Sequence, residues 1–408
     1  MSRNKLVVQK YGGSSLSSTN NISKIAEKII SKTNQGYMVV VVVSAMGDST
    51  DNLISLASEV NSNANTITRE MDILLSTGEL VSSTLMTLSL ISKGKNAVSL
   101  SGTQAGIMTN SVHGSARISD INTNRIQKEL SENSVVVVAG FQGLNDLGDV
   151  TTLGRGGSDT TAVALAVALN AERCEIYTDV EGIFTTDPRI SNNARKLDKI
   201  SFEEMLEMAS LGAKMNPRSI ELGLVYNMPL YVASSFSSTD GTLIYRSSNM
   251  EIRKAVTGIA VDKNVAKITI KGVTDQPGIA ADLLKPLSDA GISIDVIVQN
   301  TSSDGTTDFT YTVSESNLDR AVNLMNSLDQ INYKEIESGK DLAKLSIVGT
   351  GMENSPGYAA KMFSVLSSLN VNIDMITTSE IRITTIINKN DIKKSVTALH
   401  DAFELEKP

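Results

Sequence analysis

One cysteine, two histidines and no tryptophan occur among 408 residues. Cys174 has no partner for a disulfide within the chain, and a reducing compartment, the cytoplasm, fits. His113 and His400 are too few for a histidine-rich metal site. Without tryptophan, and with aromatics at 4%, no platform for stacking successive bases is available. Basic residues are outnumbered, 37 against 45 acids, for a net charge of −8. Nucleic-acid binders show a basic face, so this balance argues against one. No apolar run reaches the roughly 20 residues of a membrane span. The N-terminus, MSRNKLVVQKYGG, passes into a strand pattern without the apolar core of a secretory signal. The phosphate loop GxxxxGK(S/T) occurs nowhere, which excludes a P-loop phosphotransferase. What remains is an ordinary globular composition, 41% hydrophobic and 20% charged, long enough for two or three domains.

The most informative stretch is 152–161, TLGRGGSDTT. It follows a valine run at 135–138 that reads as a buried strand, and precedes AVALAVALN at 162–170, which reads as a buried helix. Ser158, Asp159 and Thr160 are suited to cap that helix. Bare amides at a helix start attract anions, and Arg155 in the same turn can grip a carboxylate or phosphate bidentately. A second such nest precedes it in the chain, where a strand ends at Lys10 and is followed by Gly12, Gly13 and Ser14. A helix is expected over 20–32, a strand over 37–43 leading into a polar loop from Ser44 to Thr50, and helices over 51–60, 70–91 and 122–132. Glu79, beside Gly78, is either a cap or a site group. Strands alternating with helices predict a mainly parallel sheet with helices on both faces, and ligands bind at the carboxyl ends of such strands. Lys10, Ser44, Glu79 and Arg155 all fall there. Further on, a strand ends at Thr178 and Asp179, and a polar loop carries Phe184 and Arg189. Ser201 and Glu204 form a capping box for a helix that leads to Lys214. The turn-rich stretch 234–241 reads as a domain boundary.

The last third contains a repeat. DQPGIAADLLKPLSDAGISIDVI from Asp275 aligns without gaps on NSPGYAAKMFSVLSSLNVNIDMI from Asn354. Each copy reads as a βαββαβ unit. Asp275 and Asn354 precede the Pro-Gly helix entrance, and the following strand ends on Gln299 and Asn300 in one copy and Glu380 in the other. Such a pair is either a structural duplication or a small-molecule sensor.

Taken in order, seven motifs resemble the aspartate kinases of the amino acid kinase superfamily. They are KYGGS from Lys10, VSAMG from Val43, TGE ending at Glu79, AGFQG from Ala139, TLGRGGSD from Thr152 to Asp159, YTD ending at Asp179, and TTDPR ending at Arg189. The C-terminal repeats resemble paired ACT domains. The resemblance implies an α/β amino acid kinase domain at 1–245 and two ferredoxin-like ACT domains, one at 263–339 and one combining 246–262 with 340–408. It implies ATP-dependent phosphorylation of the L-aspartate side chain to 4-phospho-L-aspartate, the first step toward lysine, threonine and methionine. By resemblance, Lys10, Asp159 and Lys214 are catalytic. Lys10, Gly12, Gly13, Ser14, Thr178, Asp179, Phe184, Arg189 and Lys214 meet ATP, with Mg²⁺ carried mainly on its phosphates. Ser44, Thr50, Glu79, Arg155, Ser158 and Asp159 hold aspartate, with Arg155 on its α-carboxylate and Glu79 on its ammonium group. Asp275, Gln299, Asn300, Asn354, Asp374 and Glu380 take lysine, threonine or both as effectors, at a homodimer junction. No histidine is needed, because a carboxylate nucleophile is already ionised at pH 7.

The chain departs from the family pattern in three places. After Lys214 it reads Met215-Asn216-Pro217, where the family has Val-Leu-His-Pro. Phe184 replaces a tyrosine, and Ala233 stands where arginine is common. Two rival readings remain: a sister kinase acting on glutamate, carbamate or a nucleoside monophosphate, and a catalytically dead amino-acid-binding regulator.

Overall fold

The computed structural model describes residues 5–247, 255–301, 305–328, 331–352 and 355–407. The chain divides into two compact units. The first comprises Met1–Ile183, Lys196–Ala209 and Lys214–Asn249, and the second Phe184–Arg195, Ser210–Ala213 and Met250–Pro408.

The elements through the first unit are β1 (Leu6–Tyr11), α1 (Thr19–Asn34), β2 (Met38–Val43), α2 (Ser49–Val60), α3 (Thr68–Ser92), β3 (Ala97–Leu100), β4 (Ile107–Thr109), β5 (Ile118–Ile121), α4 (Asn124–Ser131), β6 (Val135–Ala139), β7 (Gln142–Leu144), β8 (Val150–Thr152), α5 (Gly157–Ala168), β9 (Arg173–Thr178), β10 (Lys199–Ser201), α6 (Phe202–Ser210), α7 (Pro217–Tyr226), β11 (Leu230–Ser234) and β12 (Thr242–Tyr245). Eight strands make one sheet in the order β10-β12-β11-β9-β1-β2-β6-β3. Every pairing in it is parallel except β11 with β12. The all-valine stretches of β2 and β6 are interior strands, between β1 and β3, and are covered on both faces. Val7, Val39, Val41, Val135 and Val137 face Ile22, Ile25 and Ile29 of α1 and Met86 and Leu90 of α3. Alternation turns Val8, Val40 and Val42 to the opposite face, against which α5 packs. By length and apolar content α3 could cross a membrane. Its buried Asp72, Glu79, Met86 and Leu90 make it a core helix instead.

The capping box is present: Glu204 Oε2 accepts the Ser201 amide, and Ser201 Oγ accepts the Glu204 amide, each at 3.2 Å. One expectation is corrected. The polar stretch 234–241 is the turn between β11 and β12 inside the first sheet, where Ser234 Oγ accepts two amides; the composition marked a turn rather than a boundary. A second, four-stranded sheet, β5-β4-β7-β8, was not foreseen, because strands of three or four residues are too short to display a period.

The second unit contains β13 (Gly258–Thr274), α8 (Ile279–Asp289), β14 (Ile297–Thr301), β15 (Thr306–Val313), α9 (Leu318–Asn326), β16 (Glu335–Val348), α10 (Tyr358–Ser368), β17 (Met375–Thr378), β18 (Arg382–Asn388) and α11 (Ile392–Ala402). These strands form a single antiparallel sheet, β14-β15-β13-β16-β18-β17. The two longest strands, β13 and β16, run through both repeat cores. Ile268 and Ile270 pack with α8 and α9, whereas Ile259 at the other end of β13 packs with Leu345, Ile347 and the second pair of helices. The aspartates of the repeated Ile-Asp-x-Ile are exchanged across the repeats. Asp374 pairs with Lys267 at 3.0 Å, and Asp295 pairs with Lys344. The segment 184–195 is bound into this unit: Ile259 donates its amide to the Thr185 carbonyl at 2.7 Å, and Thr185 Oγ1 lies 2.9 Å from His400 Nε2.

Candidate active site

The carboxyl ends of β1, β2, β6 and β9 lie along one edge of the parallel sheet. There β1 delivers Lys10 and breaks into Gly12 and Gly13. A side chain at position 13 would not fit, since its Cβ would lie 2.6 Å from the Ala45 carbonyl oxygen. Lys10 reaches across to the first turn of α5, where its Nζ lies 2.6 Å from Asp159 Oδ1.

Glu79 is brought to the loop after β2 by the middle of α3. Gly78 allows this approach: a Cβ there would sit 2.8 Å from that of Ala45. Glu79 Oε1 accepts the Ala45 amide at 3.1 Å, while Oε2 is buried with no hydrogen-bond partner. Burial pushes the carboxyl up to about 7, and the Ala45 amide opposes this only in part. A half-satisfied buried carboxyl beside a cavity is what a cationic ligand group would complete.

The glycine-rich turn departs from one expectation. Helix α5 starts at Gly157, earlier than residue 162, and its cap is Gly156 at φ +72° with no side-chain capping bond. Ser158, Asp159 and Thr160 therefore lie inside the first turn rather than capping it. A cap of ordinary size is barred, because a Cβ on Gly156 would collide with Asn216. Asn216 donates from Nδ2 to the Arg155 carbonyl at 2.9 Å and caps α7 by accepting the Arg218 amide. The departure at Met215-Asn216-Pro217 thus has a local role, holding the turn that presents Arg155. The Arg155 side chain is exposed.

These parts enclose a cavity of about 730 Å³, lined by Lys10, Gly13, Ser44, Thr50, Glu79, Arg155, Ser158 and Asp159 among others. Every expected substrate residue lies on its wall. Lys214 and Asp179 do not line the cavity; Lys214 Nζ contacts both oxygens of Asp179 at 2.6 and 2.8 Å, which holds that carboxyl below its usual range. Thr178 donates to the same carboxylate at 3.0 Å. Gly12 donates to the Tyr177 carbonyl, and Ser14 is exposed. Phe184 and Arg189 belong to the segment grouped with the second unit, where Arg189 is paired with Asp187. In that unit Asp275, Gln299, Asn300 and Glu380 are exposed. Asn354 lies outside the described residues. The sequence reading missed Asp72, which lines the cavity from α3, because an aspartate in an amphipathic helix looks like a surface residue.

Residues 5–234 match the Amino acid kinase family, and residues 267–330 and 345–403 each match the ACT domain. The chain is 49% identical over 407 residues to an aspartokinase of Corynebacterium glutamicum, covering 98% of this chain and 96% of that one. Among solved structures it is similar to E. coli aspartokinase III in complex with aspartate and ADP, with a TM-score of 0.79 and 27% identity over 97% of this chain and 99% of that one. The same enzyme in complex with lysine and aspartate, its T-state, gives a TM-score of 0.78 and 26% identity over 98% and 99%.

Proposed function

The chain belongs to the aspartate kinases, and from that membership we propose that it transfers the γ-phosphoryl group of ATP to the side-chain carboxylate of L-aspartate, forming 4-phospho-L-aspartate. The observation that carries this reading is the pair of opposite charges, Arg155 and Glu79, on the wall of one cavity that also contains Lys10 and Asp159. An amino acid presents a carboxylate and an ammonium group, and these two side chains complement them. The related E. coli enzyme binds aspartate and ADP, which supports the same ligands here.

The residues' tasks follow from charge. Phosphoryl transfer requires positioning and neutralisation more than covalent assistance. Lys10 neutralises the transferring group, with the Gly12, Gly13 and Ser14 loop beside it. Asp159 holds Lys10 in place from α5. Lys214 adds a second positive charge, oriented by Asp179, and Thr178 fixes that carboxylate. Ser44, Thr50 and Ser158 complete the polar wall around the substrate. Phe184 and Arg189 carry the family pattern for the nucleotide. The acids lining the cavity, Asp51, Asp72, Glu79 and Asp159, form no cluster of three close ligand atoms among the described residues. Mg²⁺ would therefore be held chiefly by nucleotide phosphates and would supply charge neutralisation there.

In this reading residues 1–245 form the catalytic domain. The first ACT-like domain is 263–339, and the second joins 246–262 to 340–408, supported by the pairing of Gly258–Asp262 with β16. Lysine, threonine or both regulate the enzyme through Asp275, Gln299, Asn300, Asn354, Asp374 and Glu380, and the ACT-like domains pair two copies. The lysine-bound T-state of the E. coli enzyme supports this regulation. The enzyme works in the cytoplasm, early in the synthesis of lysine, threonine and methionine. A coupled ADP-release assay with aspartate, glutamate, carbamate and nucleoside monophosphates tests the assignment. Turnover is expected with aspartate, and equal or greater turnover with another acceptor would overturn it.

A further inference from the structure

Asp72 is 1% exposed, and an aspartate so buried must be repaid in hydrogen bonds. It has them from three sides. Thr152 donates its hydroxyl to Oδ1 at 2.5 Å, the Gly114 amide donates at 3.1 Å, and His113 Nδ1 lies 2.8 Å from Oδ2. Thr152 ends β8, three positions before Arg155. Gly114 belongs to a neighbouring loop that lies close to the same turn: a Cβ on Gly154 would lie 3.2 Å from the Gly114 carbonyl oxygen. The two segments are also joined directly, the Ala116 amide donating to the Thr152 carbonyl at 2.8 Å. Asp72 thus ties both to α3.

The same helix carries Glu79, two turns further along. Thr68, Met71, Asp72, Leu75 and Glu79 follow the helical spacing of one face, and all five line the cavity. One rigid rod therefore touches Glu79's site directly and reaches the Arg155 turn through Asp72, about 10 Å away along its axis. The far side of that turn is held by α7, where Asn216 takes the Arg155 carbonyl and Arg218 the Leu153 carbonyl.

We propose that Asp72 is a positioning residue: through Thr152 and Gly114 it fixes the distance between Arg155 and Glu79, and so selects an amino acid of one backbone geometry. This rests on the reading of Arg155 and Glu79 as the substrate's two anchors. Asparagine at position 72 keeps the shape but turns one acceptor into a donor, which the Thr152 hydroxyl and the Gly114 amide, both donors here, cannot satisfy. Valine at position 152 replaces the donating hydroxyl with a methyl group of similar size.

Steady-state kinetics of the full-length enzyme separate the possibilities. Asp72→Asn and Thr152→Val should each raise the KM for aspartate by about 10- to 100-fold, the cost of a misplacement near 1 Å. The KM for ATP should stay within about twofold, because the loss is confined to one substrate. In an Arg155→Ala background, Asp72→Asn should add less than about twofold, since a group acting through Arg155 has nothing left to position. An additive effect in the double variant, or equal rises for both substrates, overturns the proposal. An unchanged aspartate KM in Arg155→Ala overturns the anchor assignment, and the proposal with it. A raised KM there, with wild-type behaviour in Thr152→Val, overturns the positioning role alone. Thr152→Val carries the same test should Asp72→Asn fail to fold.

Discussion

Replacing Glu79 by glutamine removes a titrating group from the substrate cavity and leaves its volume nearly unchanged. The native carboxyl ionises at about 7 rather than 4.5, which corresponds to about 3 kcal/mol of burial cost. In the free enzyme at pH 6 only about one molecule in ten then carries the charge that aspartate's ammonium group needs. The value of kcat/KM for aspartate at saturating ATP, which reports the enzyme before aspartate binds, should fall about tenfold from pH 8 to pH 6. Because the bound ammonium group favours the ionised carboxylate, kcat itself should stay flat over that range. In Glu79→Gln the acid limb should vanish, and the KM for aspartate should rise about 10- to 100-fold through loss of a charge-assisted bond. The stability consequence has a definite sign. Since the native pKa is raised, the proton held by Glu79 supports the fold fully below pH 4.5, and that support is lost as pH climbs to about 7. The ligand-free variant should therefore melt a few degrees above wild type at pH 8 and not at pH 4.5. An acid limb of the same midpoint in Glu79→Gln, or a wild-type midpoint near 4.5, would refute the argument. An equal rise in KM for ATP would assign Glu79 to the fold instead.

Lys10→Ala should lower kcat by about 100-fold or more, as loss of a transition-state charge contact does, while leaving the protein folded. Near-normal turnover in stopped-time assays would remove Lys10 from the mechanism. For regulation, a titration of wild type with lysine, threonine and their mixture should show inhibition, reflecting a coupling of about 1–3 kcal/mol. Asp275→Ala or Glu380→Ala should relieve it with uninhibited kcat intact, and activity that stays flat with all three additions would leave the repeat as a pairing device only.

The sheet was legible because valine runs such as those of β2 and β6 report burial on both faces, and the glycine clusters marked where the backbone meets a ligand. Glu79 and Arg155 were recoverable because each stands beside a glycine that close packing or a positive φ demands, and Lys10 because it comes at the end of a strand just before a glycine pair. Asp72 and Asn216 were not, since their partners, Thr152 and the Arg155 carbonyl, are brought to them only by the tertiary fold. Nor could local pattern show that Thr185 would bond with His400. The repeat was visible in sequence, but the passage of β13 and β16 through both cores was not, because periodicity reports which face is buried and not where a long strand changes cores.

Those shared strands bear on how the chain leaves the ribosome. Gly258 pairs with Val348, so the leading half of β13 is synthesised long before its partner exists. At about 5–20 residues per second, the wait is on the order of ten seconds. Throughout it, an apolar segment from Gly258 to Val261 presents an unpaired edge while the first repeat can already close around Ile268 and Ile270. Nascent chains are thus open to pairing with one another at this segment, and a truncation between the repeats would make that transient vulnerability permanent.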